Sequence, residues 1–175
     1  MGVIRVTADN YENFIENYFV KLPRAISLRD GNQVLTNEDI SLVANSNEAK
    51  QAANIVYIFM SSKPIPRAKG QSKILYIGQT KRNLKSRYGN GILNIRSKAN
   101  ELKYNHFVHE YGAINVYFIE LSVLNSLAGS SLLELEGQFL WWYFKNHIEY
   151  PPINYTKTKV RTDYMDLEEP NFNEV

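Results

Sequence analysis

The chain has no cysteine among its 175 residues, so it can form neither a disulfide framework nor a cysteine-ligated zinc site. It also lacks any apolar run close to the ~20 residues that are needed to span a bilayer. The start, residues 1–7, has no apolar segment of the kind that a secretory signal peptide contains. We therefore expect a cytoplasmic protein without a membrane segment, with one well-buried domain or a core of about 100 residues plus an extension.

Charge is present in both signs but is unevenly distributed. Residues 51–105 contain eleven Lys or Arg and one acid, Glu101, a net charge of +10. Since the whole chain carries +2, the remaining residues carry −8. A concentrated positive segment favours a polyanionic partner, because each Lys or Arg that meets a phosphate releases a condensed counterion. A solvated surface that is merely basic is the alternative interpretation.

Residues 1–50 are predicted to form a helical extension. Apolar side chains from Tyr11 to Phe19 recur at helical spacing, and a second short helix is expected near Thr36, where Asp39 follows at capping-box distance. The apolar face of such helices needs a partner. That partner could be the core domain, a second copy of the chain or a target, and the sequence does not decide between them.

A compact core is predicted over residues 51–156, followed by a loosely held acidic tail at 157–175. Three segments rich in β-branched and aromatic residues are predicted to be strands: Ile55–Met60, Lys73–Gly78 and Asn115–Leu121. Residues 61–72 contain prolines and are predicted to be a long hairpin loop. Helices are predicted at about Thr80–Tyr88, about Ser97–Tyr111 and Ser131 to about Asn146. The predicted fold class is α+β, with a small antiparallel three-stranded sheet flanked by helices.

One acid of the last predicted helix differs from its surroundings. Glu136 shares one helix face with four apolar or aromatic residues: Leu132, Phe139, Leu140 and Tyr143. Glu134 points away from that face, and a capping box with Ser131 explains it. Because Glu136 is predicted to face the sheet, its carboxylate needs a cationic partner, which could be a metal ion or a core arginine.

The order of these elements resembles the GIY-YIG nuclease superfamily. The second motif of that family is intact as Tyr76-Ile77-Gly78, and the first is present as Ile55-Val56-Tyr57, with isoleucine in place of its glycine. Eighteen residues separate the two motif tyrosines, where the family has about ten, so the hairpin is enlarged. Arg87 in TKRNLKSR, the passage HEYGAINVYFIEL and Asn154 follow in the order of the family, and the resemblance covers about 100 residues.

The resemblance implies a divalent-metal-dependent DNA endonuclease that leaves 5′-phosphate and 3′-hydroxyl ends, in a restriction, phage or mobile-element setting. It implies that Glu136 holds Mg²⁺ or Mn²⁺ and that Arg87 contacts the scissile phosphate. Tyr57, with Tyr76 beside it, would activate or orient the attacking water. A phenol has a pKa of about 10, so the role of base needs a nearby cation. Asn154 could bond either a backbone turn or the site.

Residues expected to bind nucleic acid cluster around the first core helix: Gly78, Lys81, Arg82, Lys85 and Arg87. Gly78 would let DNA or a helix approach the strand end, because it has no Cβ. We prefer Arg87 to Arg82 for the scissile phosphate, because Leu84 places it on the side that returns toward the sheet. Sequence recognition would come from residues 1–50 or 61–72. Cutting of both strands would require a homodimer or two sequential nicks.

Two other functions stay open at this point. The first is a catalytically inactive nucleic-acid-binding module of the same fold, which Ile55 in the first motif makes conceivable. The second is a protein-interaction domain with no nucleic acid involved, which the acidic tail and the helical extension favour.

Overall fold

The computed structural model describes residues 5–89, 98–123 and 131–154. The predicted tail at 157–175 and Ser97, the predicted start of the second core helix, lie outside these ranges. Within them, no helix combines the length and the apolar composition that crossing a bilayer requires.

The described residues form an α+β fold, which confirms the predicted class. Its helices are α1 (Tyr11–Tyr18), α2 (Asn37–Ala44), α3 (Asn47–Gln51), α4 (Leu84–Gly89), α5 (Lys98–Tyr111) and α6 (Leu132–His147). Its strands are β1 (Val20–Lys21), β2 (Ile55–Pro66), β3 (Gln71–Thr80) and β4 (Ile114–Glu120). They form one antiparallel sheet of four strands in the order β1-β4-β2-β3.

The prediction of three strands is wrong, because the extension contributes an edge strand. Val20 and Lys21 of β1 pair with Phe118 and Tyr117 of β4. The pairing continues beyond β1, since the Leu22 amide donates to the Val116 carbonyl at 2.8 Å. A strand of two residues has no periodicity that a sequence pattern can reveal, and it exists only because β4 offers an unpaired edge.

The sheet is covered on both faces, and β2 alternates between them. Its side chains Ile55, Tyr57 and Phe59 join a cluster with residues of α2 to α5, which we call the tyrosine face. Its side chains Val56, Ile58 and Met60 join a cluster with residues of α1 and α6, which we call the α6 face. The apolar side of α1 therefore packs against the core sheet, the first of the three partners that the sequence left open.

The segment at residues 61–72 is mostly strand, so its prediction as a long loop is wrong. β2 continues to Pro66 and β3 begins at Gln71, which leaves only residues 67–70 as the turn. The prolines are tolerated because β4 pairs with β2 only as far as Ser61, so the later residues of β2 have one neighbouring strand. A proline whose missing N–H faces away from the ladder removes no hydrogen bond from it.

The tip of this hairpin is fastened to the C-terminal end of α6. The Lys69 amide donates to the His147 carbonyl at 3.2 Å, and His147 Nδ1 donates back to the Lys69 carbonyl at 2.9 Å. Arg67 forms an ion pair with Glu149 at 2.7 Å, and the same carboxylate accepts a hydrogen bond from the Ala68 amide. The tip is thus held by backbone and side-chain contacts together.

Candidate active site

A β-bulge sets the direction of the second motif tyrosine. Phe59 pairs with Tyr76 and Met60 pairs with Ile74, which leaves Leu75 without an opposite residue. Leu75 and Tyr76 consequently both belong to the cluster of the tyrosine face, although they are consecutive. Bulges of this kind redirect side chains, and here the bulge turns Tyr76 to the face that Tyr57 occupies.

Gly78 lies directly opposite Tyr57 in the ladder, and the Tyr76 phenol covers it. A Cβ built on Gly78 would lie within 2.9 Å of three atoms of that phenol. Because Gly78 has no side chain, the Tyr76 ring leans along the strand until its centroid is 5.7 Å from that of Tyr57. The open space at Gly78 is therefore filled by Tyr76, and its first role is to let the two phenols meet.

Replacement of Gly78 by alanine should separate the two phenols. We expect Gly78→Ala to lower the free energy of unfolding by about 1–3 kcal/mol, because the buried ring has to move. Gly137→Ala is the matched control: a Cβ there meets nothing within 4 Å, and the residue lies inside α6. The control should raise stability by about 0.5–1 kcal/mol. Urea unfolding measures both, and an equally stable Gly78→Ala protein would show that the ring has room.

Arg87 reaches the motif tyrosines from α4. Its Nε donates to the Tyr57 hydroxyl at 3.4 Å, while neighbouring Leu84 is fully buried and holds the helix against the core. α4 begins at Leu84 rather than near Thr80 as predicted, because β3 continues through Thr80, which pairs with Ile55. Arg82 lies before the helix and is exposed. The structure thus brings Arg87, rather than Arg82, to Tyr57.

Glu136 is buried on α6, with 1% of its surface exposed. The four residues predicted to share its helix face are buried too: Leu132, Phe139, Leu140 and Tyr143. Glu134 is exposed and forms the predicted capping box with Ser131. The prediction that Glu136 faces the sheet is confirmed. Burial is the largest cause of the raised pKa of Tyr57 and Tyr76, and the Glu136 charge adds a smaller contribution in the same direction, although α6 packs on the opposite face of the sheet from the phenols.

Burial is the main influence on the two phenols. It raises the pKa of Tyr57 and of Tyr76 above the ordinary value for tyrosine. For Tyr57, Arg87 and a hydrogen bond with Tyr76 oppose the shift without cancelling it. The guanidinium in turn has a raised pKa, caused first by its hydrogen bond with Tyr57. At neutral pH the two phenols are therefore neutral and lie next to one permanent positive charge, the Arg87 guanidinium.

The protein should lose stability in alkali as these phenols ionise. Burial also raises the pKa of Tyr104, so the folded state holds the protons of all three tyrosines more tightly than the unfolded state does. Their contribution is complete below the unfolded value of about 10 and is lost as the pH rises through the folded values. We expect the melting temperature to fall from about pH 9 upward. Phenolate absorbance should show the buried tyrosines ionising only with unfolding; reversible ionisation of Tyr57 below about pH 10 would contradict this.

Asn154 is buried next to β3 and bonds the strand that carries the second motif. Its Oδ1 accepts from the Ile77 amide at 2.9 Å, and its Nδ2 donates to the Ile77 carbonyl at 2.7 Å. One residue earlier, the Ile153 amide donates to the Leu75 carbonyl at 2.9 Å. Since β3 is an edge of the sheet, these bonds satisfy its outer backbone groups and fix the positions on both sides of Tyr76.

Two aromatic residues of the site were not singled out from the sequence. Phe59 lies 5.3 Å from Tyr76, centroid to centroid, and supports the ring from the neighbouring strand. Tyr104 of α5 is fully buried, and its pKa is raised first by burial and then by the nearby Tyr57. A signal for Tyr104 did exist: it stands at helical spacing from the buried residues Phe107 and Val108.

The remaining predicted nucleic-acid-binding side chains, Lys81, Arg82 and Lys85, are exposed around the start of α4. Among the described residues, no group of three or more His, Asp or Glu could hold a metal ion. The buried oxygen donors among the predicted site residues are the Glu136 carboxylate on α6 and the phenols of Tyr57 and Tyr76 on the tyrosine face. Such a set suits a hard cation that takes one or two protein carboxylates and completes its shell with water and phosphate.

Comparison with known proteins found no matching family model and no similar curated protein or solved structure.

Proposed function

We propose that the protein is a divalent-metal-dependent endonuclease that hydrolyses phosphodiester bonds in DNA. The observation that carries the proposal is that the Arg87 guanidinium donates to one of two adjoining phenols, Tyr57 and Tyr76, in a fold that also buries the Glu136 carboxylate on α6. Hydrolysis of a phosphodiester needs groups that orient water, neutralise phosphoryl oxygens and support the leaving oxygen. Glu136, Tyr57 and Arg87 are groups of these kinds.

Arg87 is the phosphate-binding group of the proposal. Its Nε donates to the Tyr57 hydroxyl at 3.4 Å, while the side chain as a whole is exposed, so its other donors can reach a ligand. A guanidinium binds phosphate oxygens through two parallel hydrogen bonds. A phosphate bound there would lie beside the Tyr57 phenol, which is the arrangement that an attack on phosphorus requires.

Tyr57 acts by hydrogen bonding in this proposal. Burial keeps its pKa above the ordinary value, so the phenol holds its proton at neutral pH and orients the water rather than removing its proton outright. The water oxygen attacks phosphorus and the bond from phosphorus to O3′ breaks. The leaving O3′ takes up one proton, the attacking water gives up one to the surrounding solvent, and the phosphate stays on the other fragment. The products have 3′-hydroxyl and 5′-phosphate ends.

Glu136 is the residue that would hold Mg²⁺ or Mn²⁺. When bound, such an ion supplies charge neutralisation at the phosphoryl and leaving oxygens. The attraction between a carboxylate and a cation is stronger in a buried position than in water, because the dielectric is lower. One protein carboxylate suffices, since substrate phosphate and water complete the shell.

The position of the extension supports a role in recognition. α3 packs against α4, the helix that carries Arg87. The hairpin tip at residues 67–70 is at the opposite end of β2, about 30 Å from Tyr57 at ~3.3 Å per residue. Of the two recognition elements predicted from the sequence, residues 1–50 are therefore the ones beside the proposed cleavage site.

Incubation of the protein with supercoiled plasmid and Mg²⁺ tests the proposal. We expect nicked or linear products whose ends accept ligation without prior phosphorylation, because they carry 5′-phosphates. Omission of Mg²⁺ and addition of a chelator should prevent cutting. Intact plasmid and intact duplexes of varied sequence, with folded protein, would overturn the proposal.

An inactive nucleic-acid-binding module is the second candidate, and the raised pKa of Tyr57 favours it. A phenol that keeps its proton is a poor general base unless ligands lower its pKa. Ile55, which replaces the first-motif glycine, packs in the core of the tyrosine face and is fully buried. This candidate predicts tight binding of duplex DNA at low salt without cutting at any Mg²⁺ concentration.

A further inference from the structure

A depression of about 360 Å³ opens next to Arg87, between the end of β3 and the start of α4. Six consecutive or nearly consecutive residues line it: Gln79, Thr80, Lys81, Arg82, Ser86 and Arg87. Lys85 is exposed on the same helix but does not line it. Of the four basic residues predicted to bind nucleic acid, three line this depression and Lys85 does not.

The cations in this depression have no acidic partner among the residues that the structure describes. None of the acids in the described ranges forms an ion pair with Lys81, Arg82 or Arg87. Three positive charges around one concave space repel one another unless an anion lies between them. The Ser86 hydroxyl and the Gln79 amide add neutral hydrogen-bonding groups to the same wall. This is the chemistry that a phosphodiester oxygen pair requires.

The backbone of the depression is held by its own hydrogen bonds. The Arg82 amide donates to Thr80 Oγ1 at 3.1 Å, and Thr80 is itself buried. The Ser86 amide donates to Asn83 Oδ1 at 2.9 Å. On the other side, Asn54 donates from its amide to the Lys81 carbonyl at 3.3 Å. The segment that presents the cations is therefore ordered without a ligand, which lowers the entropic cost of binding one.

We propose that this depression is a subsite for a second backbone phosphate, one that neighbours the scissile phosphate on the same DNA strand. Arg87 lies between the two positions, since it lines the depression and also contacts Tyr57. Arg82, Lys81 and Ser86 hold the neighbouring phosphate, and Lys85 contributes only to the general positive potential. The proposal rests on the proposed function, and it assigns to Arg82 the role of holding the strand in register.

Methylphosphonate substitution tests the subsite without requiring cleavage. The probes are fluorescein-labelled DNA duplexes in which one phosphate at a time is replaced by an uncharged methylphosphonate, and binding is measured by anisotropy in the presence of chelator. For the wild-type protein we expect two adjacent sensitive positions, each weakening binding about 10-fold. Arg82→Gln should weaken binding to unmodified DNA by a similar factor and abolish the sensitivity at one position only.

Lys85→Gln is the matched control, because it removes the same charge from an exposed position two residues from Arg87. It should leave both sensitive positions in place. If Arg82→Gln and Lys85→Gln give identical sensitivity profiles, or if wild-type binding shows no sensitive position, the subsite is overturned. Plasmid cleavage by the wild-type protein is measured alongside to separate failure of the subsite from failure of the proposed function. Uncut plasmid together with two sensitive positions would overturn the proposed function and support the subsite.

Discussion

Glu136→Gln should abolish cleavage of plasmid DNA while leaving DNA binding intact. The amide has the volume of the carboxyl group but no charge, so it holds a divalent cation much more weakly. A metal ion contributes several kcal/mol to transition-state stabilisation, and its loss corresponds to a decrease of about 10³-fold or more in the rate. Initial rates with supercoiled plasmid and Mg²⁺ measure the change, and anisotropy with labelled duplex checks binding.

Glu134→Gln provides the matched control for this experiment. Glu134 lies on the same helix, two residues earlier, but is exposed and belongs to the capping box with Ser131. Glutamine serves the same capping position, so neither stability nor cleavage should change. Equal loss of cleavage in both variants would indicate an effect on α6 rather than on a metal ligand. Undiminished cleavage by Glu136→Gln would remove Glu136 from the site.

Tyr57→Phe is expected to reduce cleavage by about 10²- to 10⁴-fold, the range of proton-transfer and water-orienting groups. The variant keeps the ring and therefore its packing against Phe59 and Tyr76, at centroid distances of 5.8 and 5.7 Å. It loses the hydroxyl that accepts a hydrogen bond from Arg87. The Michaelis constant should change little if Arg87 keeps its contact with phosphate, so the effect should fall on kcat.

Tyr143→Phe is a control for the removal of a buried hydroxyl as such. Tyr143 is fully buried like Tyr57, but it packs on the α6 face beside His147, with ring centroids 4.5 Å apart. We expect its kcat to equal that of the wild-type protein. A Tyr57→Phe enzyme with normal kcat would exclude the hydroxyl from catalysis and leave Tyr57 a packing residue.

Local sequence signals predicted the starts of α2 and α6 correctly, because a capped helix start depends on neighbouring residues. Thr36 and Asp39 form a capping box at the start of α2, and Ser131 and Glu134 form one at the start of α6, both as the spacing predicts. Gly112 ends α5 with a positive φ of 78°, the conformation for which glycine is favoured. The burial of Glu136 followed from periodicity alone.

The features that the sequence did not reveal depend on contacts between distant segments. β1 requires the free edge of β4. The two hydrogen bonds between the Asn154 side chain and the Ile77 backbone require the free edge of β3. The bulge at Leu75 is a register shift between two strands, which no pattern within one strand encodes. The family resemblance supplied the residues of the site, whereas the way in which Gly78 lets the two phenols meet became visible only in three dimensions.

Because the hairpin tip is fastened to α6, the length of the β2–β3 hairpin and the length of α6 depend on each other. One arm, β2 and β3, carries the phenols near its base, and the other arm, α6, carries Glu136 near its start; the contact between Lys69 and His147 joins their far ends. Shortening one arm alone would shift the carboxylate relative to the phenols or break the joint. We therefore expect that in any homologue a deletion in the hairpin is accompanied by an earlier end of the last helix.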